Sequence, residues 1–146
     1  MTSIENKIKV FIDTNVIIDA ITKRDYEFKY SESILRAVLK DKIKGYICNK
    51  QITDIYYILS KHIKNEFINR DYIETIVETF DVLPLLNGDI LACLKTPMKD
   101  FEDAIIDEVA KVNMIPYIVT NNIDDFKNSQ VPAVTPEQFL TLFQLN

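Results

Sequence analysis

The sequence predicts an α/β domain built on a parallel sheet, and three observations carry that prediction. Short runs of β-branched and aromatic residues recur along the chain, beginning with Ile8, Val10, Phe11 and Ile12. Longer stretches with apolar residues at helical spacing separate them. The two kinds of segment alternate, which is the signature of strand–helix–strand units. A length of 146 residues and 47% hydrophobic content suit one domain, spanning residues 1–146, with one filled core.

Taken in order, the first strand ends at Asp13, and Asp13 or Thr14 starts a helix to about Ala20 with Val16, Ile17 and Ala20 on one face. Residues 22–27 are polar and read as a loop. Ile34, Leu35, Val38 and Leu39 predict an amphipathic helix over 30–43, with Gly45 just past its end. Tyr46, Ile47 and Cys48 form the second strand. Ile52, Ile55, Tyr56, Leu59 and Ile63 make 49–64 mostly helix, and Asn69 is placed as cap of a further helix over 71–80. A strand follows over 82–86, then a helix capped by Asn87 and ended by Pro97. The segment DFEDAIIDEVAKVN, 100–113, is the next helix. A strand over 115–119 leads into a polar loop over 120–128. Ala133 and Val134 suit a last short strand, and Thr135 with Pro136 at the first helical position opens the C-terminal helix.

Charge and cysteine content narrow the function. A net charge of −5 argues against holding nucleic acid by bulk electrostatics. The charge is uneven, with twelve Lys or Arg against eight Asp or Glu up to Lys64 and five against fourteen beyond it. That split suits a basic surface beside an acidic site, or equally two ordinary solvated faces. Cys48 and Cys93 match no metal or redox spacing and read as buried thiols in a reducing cytosol. The N-terminal MTSIENK has no apolar signal core and no run reaches membrane-spanning length, so a soluble, cytoplasmic protein is expected. Only two glycines are present, which excludes a glycine-rich phosphate loop.

The acids fall at element ends. Asp13 ends strand one, Asp54 lies early in the helix after strand two, and Asp100, Glu102 and Asp103 open a late helix. Asp124 and Asp125 lie in the loop leaving the 115–119 strand. If that strand lies beside the first, Asp13 and the loop share the C-terminal edge of the sheet, where α/β proteins bind ligands. Three or four carboxylates there would repel and raise one another's pKa unless a cation neutralised them. Such oxygen donors suit Mg²⁺ or Mn²⁺ rather than zinc, and the one histidine, His62, reads as a surface helix residue. Each acid also has a structural reading. Asp13 and Asp100 are good helix caps, Asp103 completes a capping-box-like pattern, Asp54 suits a helix start, and Asp124 and Asp125 suit a turn. Against this, Asp103 shares a stripe with Ile106 and Ala110, where a solvated acid is out of place.

In their order, FIDTNVIID, ITDIYYI, DFEDAI, VTNNIDDF and VPAVTPEQFL resemble the PIN-domain ribonucleases, and among them the VapC-like toxins of type II toxin–antitoxin pairs. The resemblance covers nearly the whole chain. It implies a three-layer α/β/α fold with a short central parallel sheet, and a metal-dependent endoribonuclease that hydrolyses RNA phosphodiester bonds. It makes Asp13, Asp103 and Asp125 the ligands of Mg²⁺ or Mn²⁺, with Asn15, Thr120, Asn122 and Glu102 in support. Asp54 stands where many members have glutamate, which makes it a fourth catalytic candidate with a shorter reach. RNA as substrate, a small antitoxin and a second copy of the chain as partners, and no membrane, follow from the same likeness. Tyr26, Phe28 and Tyr30 form a candidate interface patch, and Lys23, Arg24 and Lys50 are candidate RNA contacts among several surface lysines. Asp19 reads as a surface residue. The rival readings are a catalytically inactive PIN-like binding or scaffold module, a receiver-type phosphotransfer domain, and a haloacid-type phosphatase. The receiver needs a phospho-accepting Asp after a middle strand and a Lys late in the chain, neither of which is suitably placed, and the phosphatase would need an Asp where Asn15 stands.

Overall fold

The computed structural model describes residues 7–24 and 26–145. The first six residues, which hold most of the N-terminal segment, and Asp25 in the expected 22–27 loop lie outside the described residues. Five strands, β1 (Lys9–Ile12), β2 (Lys44–Cys48), β3 (Asp81–Leu83), β4 (Ile118–Val119) and β5 (Ala133–Val134), form one sheet in the order β3-β2-β1-β4-β5. Every pairing is parallel. The helices are α1 (Thr14–Thr22), α2 (Phe28–Leu39), α3 (Asn49–His62), α4 (Glu66–Thr79), α5 (Asn87–Cys93), α6 (Phe101–Val112) and α7 (Pro136–Leu142). A 3-10 turn, Ile123–Phe126, follows β4.

Strand alternation sets the layers. Val10 and Ile12 of β1 pack into a cluster with Val16, Ile34, Ile55, Ile76 and Phe139, drawn from α1, α2, α3, α4 and α7. Phe11, between them, joins Cys93, Ala104, Ile105 and Val109 from α5 and α6 on the other face. The sheet is covered on both sides, as a parallel sheet must be, and the three-layer α/β/α expectation is met. No helix among the described residues is long and apolar enough to cross a membrane.

Several local expectations change. Gly45 does not follow a helix but lies inside β2, paired with Val10. A Cβ there would come within 2.9 Å of Val38 Cγ2 and 3.0 Å of the Phe80 ring, so the glycine lets α2 and Phe80 close on the strand. The reversal before β2 falls to Asp41, at φ 60°. Helix α4 starts earlier than predicted, because Asn65 rather than Asn69 is its cap and accepts from the Phe67 and Ile68 amides. Asn69 is buried and donates to the Ile63 carbonyl. Asn87 is the first residue of α5, and Asp89 accepts from the Leu86 amide. The third strand stops at Leu83, and β4 is only Ile118–Val119.

Candidate active site

Asp13 leaves β1 and caps α1, so its structural reading holds, and the same placement sets its carboxylate at the C-terminal edge of the sheet. Its Oδ1 accepts from the Thr14 amide at 2.7 Å, and its Oδ2 from Asn15 Nδ2 at 3.1 Å and Thr120 Oγ1 at 2.7 Å. Thr120 directly follows β4, so the pairing of β1 with β4 brings this hydroxyl across 107 residues of chain. Asp13 is 5% exposed. Burial pushes its carboxyl up to about 6, against the opposing pull of the Thr120, Thr14 and Asn15 hydrogen bonds.

Asp103 enters from the first turn of α6, whose cap, Asp100, accepts from the Asp103 amide at 3.0 Å. Its helix stripe runs into the buried Ile106 and Ala110, so the carboxylate is drawn part-way into the interior. Burial first, then the charges of Asp13, Asp100, Asp125 and Glu102, push the Asp103 carboxyl up to about 7. These four acids come from the start of α1, the start of α6 and the 3-10 turn. Asp125 itself is exposed in that turn, its amide bonded to the Asn122 carbonyl.

Asp54 stands apart from this group. It lies in the second turn of α3 and pairs with Lys50 Nζ at 2.5 Å, and the same ammonium reaches Glu102 Oε1 at 3.1 Å. Asp13, Lys50, Asp54, Glu102 and Asp103 line one cleft of about 360 Å³, with Gln51, Tyr57 and Ile106. Burial pulls the Lys50 ammonium down, but the hydrogen bonds it donates to Asp54 and Glu102 outweigh that and leave the group raised.

The carboxylate oxygens present suit a hard divalent ion, with burial and, at Asp103, neighbouring like charges pushing the carboxyls upward. They do not form a closed cage. Among the described residues no three His, Cys, Asp or Glu side chains gather closely enough to hold an ion as they stand.

Two supporting groups escaped the sequence reading. Gln51 is 2% exposed, accepts from the Cys48 amide at 2.7 Å and donates to the Ile12 carbonyl at 3.0 Å and Thr14 Oγ1 at 3.2 Å. It straps the start of α3 to the end of β1. Its place at the third helical position, the capping-box site, is a readable signal. Asn121 is the other. Its amide N–H donates to Asn15 Oδ1 at 3.1 Å, and its Nδ2 to Asp19 Oδ2 at 2.7 Å and Ser31 Oγ at 3.1 Å.

Asp19 is therefore not a surface residue. It is 3% exposed, and Arg24 Nε and Nη2 each reach its Oδ1 at 2.9 Å. The burial follows from the helix face it shares with Val16 and from a partner just past the helix end. Arg24, a candidate RNA contact, is tied to this pair, whereas Lys23 ends α1 exposed at φ 53°. Asn122 is exposed, and its amide donates to Thr120 Oγ1 at 3.0 Å. Asp124 is exposed. Tyr26 is 96% exposed, Tyr30 lies at the surface and Phe28 is half-buried, so the aromatic patch presents mainly its tyrosines. His62 is exposed and bonds the Ile58 carbonyl of its own helix. Cys48 and Cys93 are buried and free, as expected.

With this geometry in place, the chain can be set beside known proteins. Residues 9–124 match the family described as PIN domain. The chain is 28% identical over 139 residues to Ribonuclease VapC1 from Aquifex aeolicus, covering 92% of this chain and 94% of that one. Two solved structures share its fold. VapBC2 from Rickettsia felis, bound to a DNA fragment from its promoter, matches with a TM-score of 0.65 at 16% identity, over 86% of this chain and 97% of that one. A toxin–antitoxin complex from Klebsiella pneumoniae matches with a TM-score of 0.63 at 23% identity, over 87% and 97%.

Proposed function

The chain belongs to the PIN-domain family, and from that premise we propose that it is a metal-dependent endoribonuclease, the toxin of a toxin–antitoxin pair. The observation that carries the reading is the meeting of Asp13 and Asp103 in one cleft, with both carboxyls pushed upward and Asp125 acting on the second. Mg²⁺ or Mn²⁺ would be held by Asp13, Asp103 and Asp125. Once bound, such an ion supplies an activated water and counter-charge for a phosphodiester under attack.

The chain's own side chains act separately. Asn15, Thr120 and the Thr14 amide fix the Asp13 carboxylate, so it need not reorganise when a ligand arrives. Asn122 donates to Thr120 and holds that hydroxyl in place. Lys50 lines the cleft and offers a point charge to an RNA phosphate, with Glu102 and Asp54 setting its position. Lys23, exposed beside the Arg24–Asp19 pair, is a second lysine open to an RNA phosphate.

The likeness to a ribonuclease over most of both chains supports the reaction class. The likeness in fold to proteins solved in toxin–antitoxin complexes supports a small antitoxin as partner. Tyr26 and Tyr30 are the surface offered for it or for a second copy of the chain. A cytosolic location suits the two unpaired thiols.

The test is cleavage of a fluorescently labelled RNA pool in the presence and absence of Mn²⁺. The wild-type chain cleaves only with metal, and the double variant Asp13→Asn, Asp103→Asn does not cleave. Cleavage that survives the double substitution defeats the assignment. Binding of RNA or Mn²⁺ without any turnover by the wild type would favour an inactive scaffold instead.

A further inference from the structure

The cleft holds two sets of acids, and they differ in what neutralises them. Asp13 and Asp103 line the cleft together, and at Asp103 the charge of Asp13 is joined by those of Asp100, Asp125 and Glu102. Asp54 of α3 and Glu102 of α6 instead share one ammonium, Lys50 Nζ, at 2.5 and 3.1 Å. That ammonium ties together two helices, α3 and α6, that both line the cleft.

Lys50 is badly placed for α3 itself. It stands at the second residue of the helix, where the dipole's positive end disfavours a cation. Its acid follows it by four residues, which is the weaker order for a helical ion pair. A residue that breaks two local rules at a cleft wall points to a role outside its own helix. Neutralising two facing carboxylates and leaving a positive charge open to the cleft is what a second divalent ion does in two-metal phosphodiester chemistry.

We propose that Lys50 is a built-in cation at the second metal position of this cleft, so that the chain takes one divalent ion, at Asp13, Asp103 and Asp125, and not a pair. The inference rests on the nuclease reading of the cleft and adds to it the number of ions and the reason for it. Asp54 thereby gains a role as well, since it holds Lys50 and does not ligate metal.

The experiment counts Mn²⁺ bound per full-length chain, by the electron paramagnetic resonance of free Mn²⁺ during titration at pH 7.5. Wild type binds one. Lys50→Met frees Asp54 and Glu102 and binds two, Lys50→Arg binds one, and the triple variant Lys50→Met, Asp54→Asn, Glu102→Gln returns to one. Lys50 is partly exposed at a helix start, so Lys50→Met folds, which its thermal melt checks; Lys50→Gln, with the same expected count of two, stands in if it does not. A wild type that binds two, or a Lys50→Met that stays at one, overturns the inference and leaves the nuclease reading intact. A wild type that binds none overturns the metal reading beneath it as well, so the two failures are told apart.

Discussion

Two helices of this protein each hold one aspartate whose charge is compensated where it sits and one whose charge is not. On α1 the pair is Asp13, its cap, and Asp19; on α6 it is Asp103 and Asp107, one turn apart. Asp107 is 1% exposed, and its carboxylate accepts from the Gln130 amide, at 3.0 Å to each oxygen, and from the Val131 amide at 2.9 Å. Asp19 is as deeply buried and is held by Arg24 and Asn121. Those two anions are compensated where they sit. Asp13 is held by neutral donors alone, and among the described residues nothing donates to the Asp103 carboxylate. Burial of an acid is thus no mark of function, since all four are partly or wholly buried. What separates them is whether the protein itself supplies the positive charge or the N–H groups.

That contrast can be broken in several ways. The largest effect belongs to the uncompensated pair and falls on activity: the double substitution to Asn removes metal-dependent cleavage while the melting temperature holds or rises, because two repelling charges are gone. A drop in stability as large as the loss of activity would mean that these acids are structural after all. At Asp107 the expectation is reversed. Asp107→Ala strands two backbone N–H groups in the 129–131 loop, at a cost of about 3 kcal/mol in denaturant unfolding, with Mn²⁺ binding retained by the folded fraction. Asp19→Ala costs less, about 1–2 kcal/mol, because Arg24 can turn to solvent, whereas Arg24→Ala costs more than that, because it leaves the buried Asp19 carboxylate without its cation. If Asp19→Ala proves harmless, its ion pair contributes nothing and the residue is buried by geometry alone.

The most gradual effect is in the pH dependence, where the change is spread over several pH units. Folding raises Asp13 from 3.8 to about 6 and Asp103 to about 7, so the folded chain holds these protons more tightly than the unfolded one. Their contribution is fully present below about pH 4 and is lost as pH climbs through 6 and 7, on the order of 1 kcal/mol per pH unit from Asp13. With a chelator present, the melting temperature therefore falls between about pH 4.5 and 7.5, and Asp13→Asn flattens the slope. Added Mn²⁺ restores stability at about pH 7.5 far more than at about pH 4.5, since its ligands must be ionised. An equal gain at both values would place the ion elsewhere.

The sequence was most legible where a single residue type settles a local geometry. Thr135 with Pro136 marked the start of α7, and its capping box with Gln138 is present. Asp100 marked the start of α6, and alternating apolar runs marked β1 and β2. It was least legible where a long-range partner decides. Gly45 suited a helix end by its type alone, and only the closeness of Val38 and Phe80 explains it as a strand residue. Asp19 resembled any solvated acid, because Arg24 and Asn121 meet it only after the chain turns and β4 docks beside β1. Asn69 suited a helix cap by its type, but it is buried against the Ile63 carbonyl and Asn65 takes the capping role. Asp54 shares the cleft of Asp13 as its helix position suggested, yet its pairing with Lys50 was not foreseen.

The strand order has a consequence of its own. From β1 the sheet grows outward through β2 and β3 in one direction and through β4 and β5 in the other. Asp13 and Asp54 belong to the first half of the polypeptide, and Asp103, Thr120 and Asp125 to the second. The halves meet along the β1–β4 ladder and at the packing of α5 on α6. A break in the backbone between α5 and α6 would divide the acids between two fragments, neither holding a full set. Activity would then report the reunion of the fragments, and the cleft would serve as the readout of a split protein.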